Sequence, residues 1–105
     1  MIAIGISACG SQSGSATSQL IIENPFEAQL SVHDCKQAYL GWQCLFTNKT
    51  DRPINLLEIL TNSYDSRGVK INSGGPMGTV DPGGTSVAML ANGEDAVKVV
   101  MYKRR

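Results

Sequence analysis

Between Leu20 and Lys103 no apolar run goes far before a turn signal cuts it short, and this punctuation constrains the fold more than any other feature. Asn24-Pro25, Asn48-Lys49-Thr50-Asp51-Arg52-Pro53, Asp65-Ser66-Arg67-Gly68, Asp81-Pro82-Gly83-Gly84 and Asn92-Gly93 all combine residues that favour tight turns. The segments between them have the length of strands. A chain of 105 residues makes one domain at most. At that size it buries roughly 65% of the surface its unfolded chain exposes, so its core is small. One Trp, three Tyr and two Phe beside eleven Gly suit a β-rich domain with tight turns better than a helical bundle.

The strands follow in order. Gln19–Glu23 reads as a short edge strand stopped by Asn24-Pro25. Leu30–Cys35 and Trp42–Thr47 alternate apolar and polar, with Trp42, Cys44 and Phe46 sharing one face. Val69–Asn72, Thr85–Leu90 and Ala96–Lys103 complete the series, the last with Val97, Val99 and Met101 turned the same way. Ile54–Tyr64 is ambiguous. Leu56, Leu57, Leu60 and Tyr64 fit helical spacing, and Asn55-Leu56-Leu57-Glu58 resembles a capping box. Leu57, Ile59 and Thr61 fit strand spacing, with Leu56 and Leu60 facing the other way. The flanking turns favour a single central strand covered on both faces; a helix is the alternative. Asn48, Pro53, Asp65, Gly68, Pro82 and Gly83 are read as turn geometry, with Pro53 at a strand's first position. Seven or eight short strands at this spacing predict an all-β, two-sheet antiparallel sandwich.

Cysteine usage points to a compartment. The count is odd. Cys9 stands alone, while Cys35 and Cys44 flank a hairpin through Lys36–Gly41. If that hairpin centres between Tyr39 and Leu40, Cys35 lies opposite Cys44. Opposed residues have Cβ atoms about 4.5–5.5 Å apart, and a disulfide wants about 3.5–4.5 Å. Closing so short a loop is worth about 2–3 kcal/mol, a large share of a total of about 5–10 kcal/mol. Disulfides persist outside the cytoplasm. The alternative is two buried thiols. There is no CxxC and no His/Cys cluster, which argues against zinc.

Ile6-Ser7-Ala8-Cys9 looks like a bacterial lipobox, an aliphatic residue and two small ones before the cysteine that receives lipid. The apolar start is far too short to span a bilayer, which takes roughly 20 residues. It also lacks the positively charged n-region of a signal peptide. Residues 1–8 therefore read as a truncated or short lipoprotein signal. Residues 9–18 read as the lipidated Cys9 and a Gly/Ser-rich tether with a reach of about 15–18 Å, and residues 19–105 as the sandwich. An apolar first strand with a buried Cys9 is the alternative, but it has no need of the tether.

With the turns in place, Asn48–Ile54, Tyr64–Gly68 and Val80–Thr85 resemble those of the YcfL-like family of small periplasmic lipoproteins of Gram-negative bacteria, and are similar to FxLYD-type extracytoplasmic domains. The resemblance spans roughly Leu20 to Lys103. It implies an immunoglobulin-like sandwich on an outer-membrane tether, facing the periplasm or cell surface, and implies no catalytic activity. The strand before Tyr64 is less aromatic than that resemblance leads one to expect, and the Cys35/Cys44 pair is not one of its hallmarks. Gly10 after Cys9, in place of aspartate, looks like outer-membrane sorting.

Little in the chain reads as chemistry. His33 is the one histidine, on a strand with ordinary alternation, and reads as structural or surface. The carboxylates of Asp51, Asp65 and Asp81 sit in turns. Neither Gly74-Gly75-Pro76 nor Gly83-Gly84 is a phosphate loop. Net charge is zero, and basic residues cluster only at Lys103-Arg104-Arg105, which is not a nucleic-acid footprint. No catalytic residue, cofactor or metal site is assigned. The expected role is a non-enzymatic binding or scaffold module, joined to the membrane by lipid on Cys9. Its partner would be an envelope protein or a peptidoglycan-associated one. The candidate surfaces are the hairpin tip (Tyr39, Leu40, Trp42) and the Gly75-Pro76-Met77 loop. The alternative is an inhibitor or exclusion factor acting against a hydrolase, phage or plasmid.

Overall fold

The computed structural model describes residues 20–93 and 95–104. The strands are β1 (Ile21–Glu23), β2 (Leu30–Ala38), β3 (Gly41–Asn48), β4 (Ile54–Asn55), β5 (Ile59–Tyr64), β6 (Lys70–Gly74), β7 (Thr79–Val80), β8 (Thr85–Asn92) and β9 (Lys98–Lys103). They form a four-stranded sheet of order β1-β9-β5-β6, a three-stranded sheet of order β2-β3-β8, and a small β4-β7 pair. The two larger sheets enclose Leu30, Cys44, Phe46, Leu56, Ile59, Val80, Leu90, Val99 and Met101. The fold is an all-β sandwich. Its pairings are antiparallel except for β1, which runs parallel to the closing strand β9.

The run from Ile54 to Tyr64 is not one strand. β4 ends at Asn55, Leu56–Glu58 make a single 3-10 turn, and β5 begins at Ile59. The Asn55 side chain accepts a hydrogen bond from the Leu57 N–H, as a helix cap does. The helical and strand signals are therefore both genuine, but they act on successive residues. The turn offsets the alternation: Leu56 and Ile59 are buried while Leu57 is half exposed, so Leu57 does not share a face with Ile59 and Thr61. The break, together with the pairing of β7 onto β4, gives nine strands among the described residues where seven or eight were expected.

Cys35 and Cys44 form a disulfide, with a Cα–Cα distance of 4.0 Å. Simple alternation cannot produce it. Leu30 and Val32 turn toward the core, so an odd-numbered residue on the same strand should turn away, yet Cys35 also packs against that core. A bulge resolves the conflict. His33 pairs with Leu45, but Lys36 pairs with Gln43, so two residues on β2 face one on β3. Asp34 absorbs the extra residue with a φ of 52°.

Two polar residues fix the ends of the strands. Asn48 is fully buried at the end of β3. Its amide donates to the Arg52 and Val80 carbonyls at 2.6 and 2.9 Å, and its oxygen accepts from the Thr50 N–H and hydroxyl at 2.9 and 2.7 Å. Both hydrogens and both lone pairs are satisfied, as a buried amide requires. In the Asp65–Gly68 turn, Asp65 Oδ1 accepts from the N–H groups of Arg67 and Val69, and Oδ2 from the Arg67 guanidinium at 2.7 and 3.0 Å. The hydrogen bonds from the Arg67 side chain, then from the Val69 N–H, hold the Asp65 carboxyl below its ordinary range.

Candidate functional site

The sandwich has two ends of different character. β2 and β3 run between them, and so do β5 and β9, where Lys98 faces Tyr64 and Lys103 faces Ile59. One end carries the β2–β3 hairpin tip, the Asp65–Gly68 turn and the loop before β9. The other carries the Asn48–Pro53 segment, the 3-10 turn and the Gly74–Gly78 loop.

At the second end lies an open cleft of about 320 Å³ lined by Phe26, Gln29, Leu30, Ile54, Asn55, Glu58, Ile59 and Lys103. Its floor is apolar because Leu30 and Ile59 begin strands whose inner faces form the core. Phe26 is placed by the turn between β1 and β2. There the Phe26 N–H donates to Asn24 Oδ1, and the N–H groups of Gln29 and Leu30 both donate to the Phe26 carbonyl. Glu58 and Lys103 add one carboxylate and one ammonium. The volume is at the low end for small-molecule pockets. Leu57 and Met77, 48% and 70% exposed, belong to the same end of the sandwich, where the Leu56 N–H donates to the Gly78 carbonyl.

The hairpin tip forms the opposite end. Tyr39 is 87% exposed and Leu40 52% exposed. Leu40 has a φ of 65°, a left-handed conformation that costs a leucine roughly 1–2 kcal/mol. Its carbonyl accepts a hydrogen bond from the Gly93 N–H at 2.7 Å, which ties the tip to the loop after β8. Trp42, grouped with this tip in the sequence, is not on the surface. It is buried, and its indole N–H donates to the Ala96 carbonyl at 2.9 Å. Pro76 is likewise buried, so Met77 is the exposed member of the Gly75-Pro76-Met77 loop. Cys9 lies outside the described residues.

One side-chain constellation is not apparent from the sequence. Asp34 Oδ2 meets His33 Nδ1, His33 Nε2 lies 2.7 Å from Thr47 Oγ1, and Thr47 Oγ1 lies 2.9 Å from Thr85 Oγ1. The bulge brings Asp34 round to its neighbour's ring, and Thr47 is the diagonal cross-strand neighbour of His33. The order of groups is that of acid, base and hydroxyl nucleophile. The constellation lies on the outer face of β2-β3-β8, Asp34 is largely exposed, and β3 is a central strand whose amides bond to both neighbours. The chain of contacts laces three strands together. Among the described residues no group of three or more His, Cys, Asp or Glu could hold a metal ion, and no helix is long and apolar enough to cross a membrane.

Compared with known proteins, the chain matches no family model, no curated protein and no solved structure. Its function is therefore argued from its own geometry.

Proposed function

We propose that this chain is a non-enzymatic envelope lipoprotein, a binding or scaffold module held at the outer membrane by lipid on Cys9. It presents the Phe26–Lys103 cleft, with Leu57 and Met77, to an envelope protein or peptidoglycan-associated partner. The observation that carries the reading is the Cys35–Cys44 disulfide, because such a bond persists in an oxidising compartment. The lipobox-like Ile6-Ser7-Ala8-Cys9 points independently to the same side of the membrane. The turn-by-turn resemblance to YcfL-like and FxLYD-type domains supports an immunoglobulin-like version of the sandwich.

The test is site-directed photo-crosslinking of the full chain in intact cells. A crosslinker at Met77 or Leu57 captures one discrete partner, and one at Val87, exposed on β8, does not. Replacing Glu58, an exposed member of the cleft lining, with Lys abolishes capture without unfolding the protein. Equal capture from all three positions contradicts the assignment.

A further inference from the structure

The parallel pairing of β1 with β9 decides which end of the sandwich the preceding chain reaches first. Ile21 lies beside Lys98, and the Ile21 N–H donates to the Val97 carbonyl at 2.9 Å. Val97 in turn donates to the carbonyl of Tyr64, just before the Asp65–Gly68 turn. Leu20 therefore enters at the hairpin-tip end, away from the cleft. From Cys9 to Leu20 the covalent chain measures at most about 40 Å when fully extended. Nine-residue β2 alone is about 30 Å long. An attachment at Cys9 thus joins the sandwich at its tip end, which lies nearer the attachment point along the chain than the cleft end by about the length of that strand.

The chemistry of the tip end matches a lipid–water boundary. Ile21, Tyr39, Leu40 and Val69 are all large apolar or aromatic residues left 48–87% exposed there. Exposed Lys70 and Arg67 flank Val69, with Arg67 paired to Asp65. Asp95 is an opposing carboxylate at the same end. An amphipathic tyrosine with an aliphatic neighbour and flanking cations is the composition favoured at the headgroup level. Leu40 is held in its left-handed conformation by the Gly93 hydrogen bond and the Trp42–Ala96 contact, so the tip is presented as a fixed wedge.

We infer that the Tyr39-Leu40 tip is a second membrane contact. It seats the sandwich tip-down on the lipid surface and directs the cleft away from it. This inference rests on the proposed anchoring at Cys9, and its test separates the two. The full chain, carrying Cys9→Ser and an N-terminal hexahistidine, is held on vesicles of phosphatidylethanolamine, phosphatidylglycerol and a nickel-chelating lipid with brominated acyl chains. A reporter tryptophan is introduced by Tyr39→Trp at the tip or Gln29→Trp at the cleft, with buried Trp42 as a common background.

The inference requires quenched, blue-shifted emission for Tyr39→Trp and none for Gln29→Trp, with the tip signal lost on adding Leu40→Ser. Absence of quenching at the tip, or quenching at both ends, overturns it. So does a tip-dependent dimer in sedimentation, which would assign the tip to a second copy. The intact mass of the native membrane-extracted chain reports lipid on Cys9 separately. Tip quenching without that lipid leaves the surface preference standing and sinks the anchoring. Lipid without tip quenching does the reverse.

Discussion

Single residues carry more of this sandwich than its small core implies. Asn48 uses all four of its hydrogen-bonding positions while fully buried, joining the end of β3 to the Thr50–Arg52 segment and to β7. Asn48→Ala removes the buried partner of the Val80 carbonyl and the acceptor of the Thr50 N–H, while the Thr50 hydroxyl and Arg52 carbonyl still bond to each other, so a loss of about 1–3 kcal/mol in urea unfolding is expected. Leu40 behaves oppositely. Leu40→Gly relieves a left-handed φ, and after the entropy cost of glycine it should stabilise the fold by about 0.5–1 kcal/mol. A destabilised variant would show that the Leu40 side chain contributes packing its exposure does not reveal. Gly41 has no such latitude, because a Cβ there would lie 2.2 Å from the Ala91 carbonyl oxygen. His33 is the residue whose surroundings most invite a catalytic reading. The non-enzymatic assignment predicts that hydrolysis of chromogenic esters by the full chain is negligible and unaffected by His33→Ala.

At the scale of elements, the β2–β3 hairpin and the Asp65–Gly68 turn make the sharpest predictions. Cys35→Ala with Cys44→Ala should lower stability by about 2–3 kcal/mol, and reducing agent should lower the wild-type urea midpoint to match. For the turn, the Asp65 carboxyl is held below its ordinary value by Arg67 and the Val69 N–H. A folded-state value below the unfolded one stabilises the fold above the unfolded value, and that stability fades as pH falls through the folded value. Asp65→Asn should therefore destabilise at neutral pH, and the gap to wild type should close below about pH 4, near the ordinary carboxylate value. A gap that persists into strong acid contradicts this account.

These elements also show what was legible in the sequence. Period-two runs such as Trp42–Thr47 announced their strands because one face is buried. Cys35 and Cys44 announced their bond because the turn at Tyr39-Leu40 sets their register. The bulge at Asp34 was not legible, since nothing local distinguishes an extra residue from continued alternation. The Asp34–His33 contact depends on that bulge and was hidden with it. Ile54–Tyr64 misled for a related reason: a three-residue turn inside a strand-length run changes which side chains face inward. Trp42 was placed at the tip by sequence proximity, but its bulk and indole N–H find the interior and the Ala96 carbonyl. The cleft was out of reach because its lining comes from Phe26, Ile54, Ile59 and Lys103, which only the tertiary fold brings together.

At the scale of the whole molecule, the topology gives the sandwich a polarity. The described chain starts at the tip end, and the cleft opens at the other. An envelope module needs that arrangement if it is to hold a surface with one end and a partner with the other. The proposed location outside the cytoplasm rests on two features, the disulfide and the lipobox-like segment, and both leave a signature in mass. The most direct test is the intact mass of the protein extracted from membranes under non-reducing conditions. The account predicts a chain beginning at Cys9 with added lipid and two hydrogens fewer than the free-thiol form, the Cys35–Cys44 bond accounting for the loss. The mass of an unmodified chain with all three thiols free would contradict it.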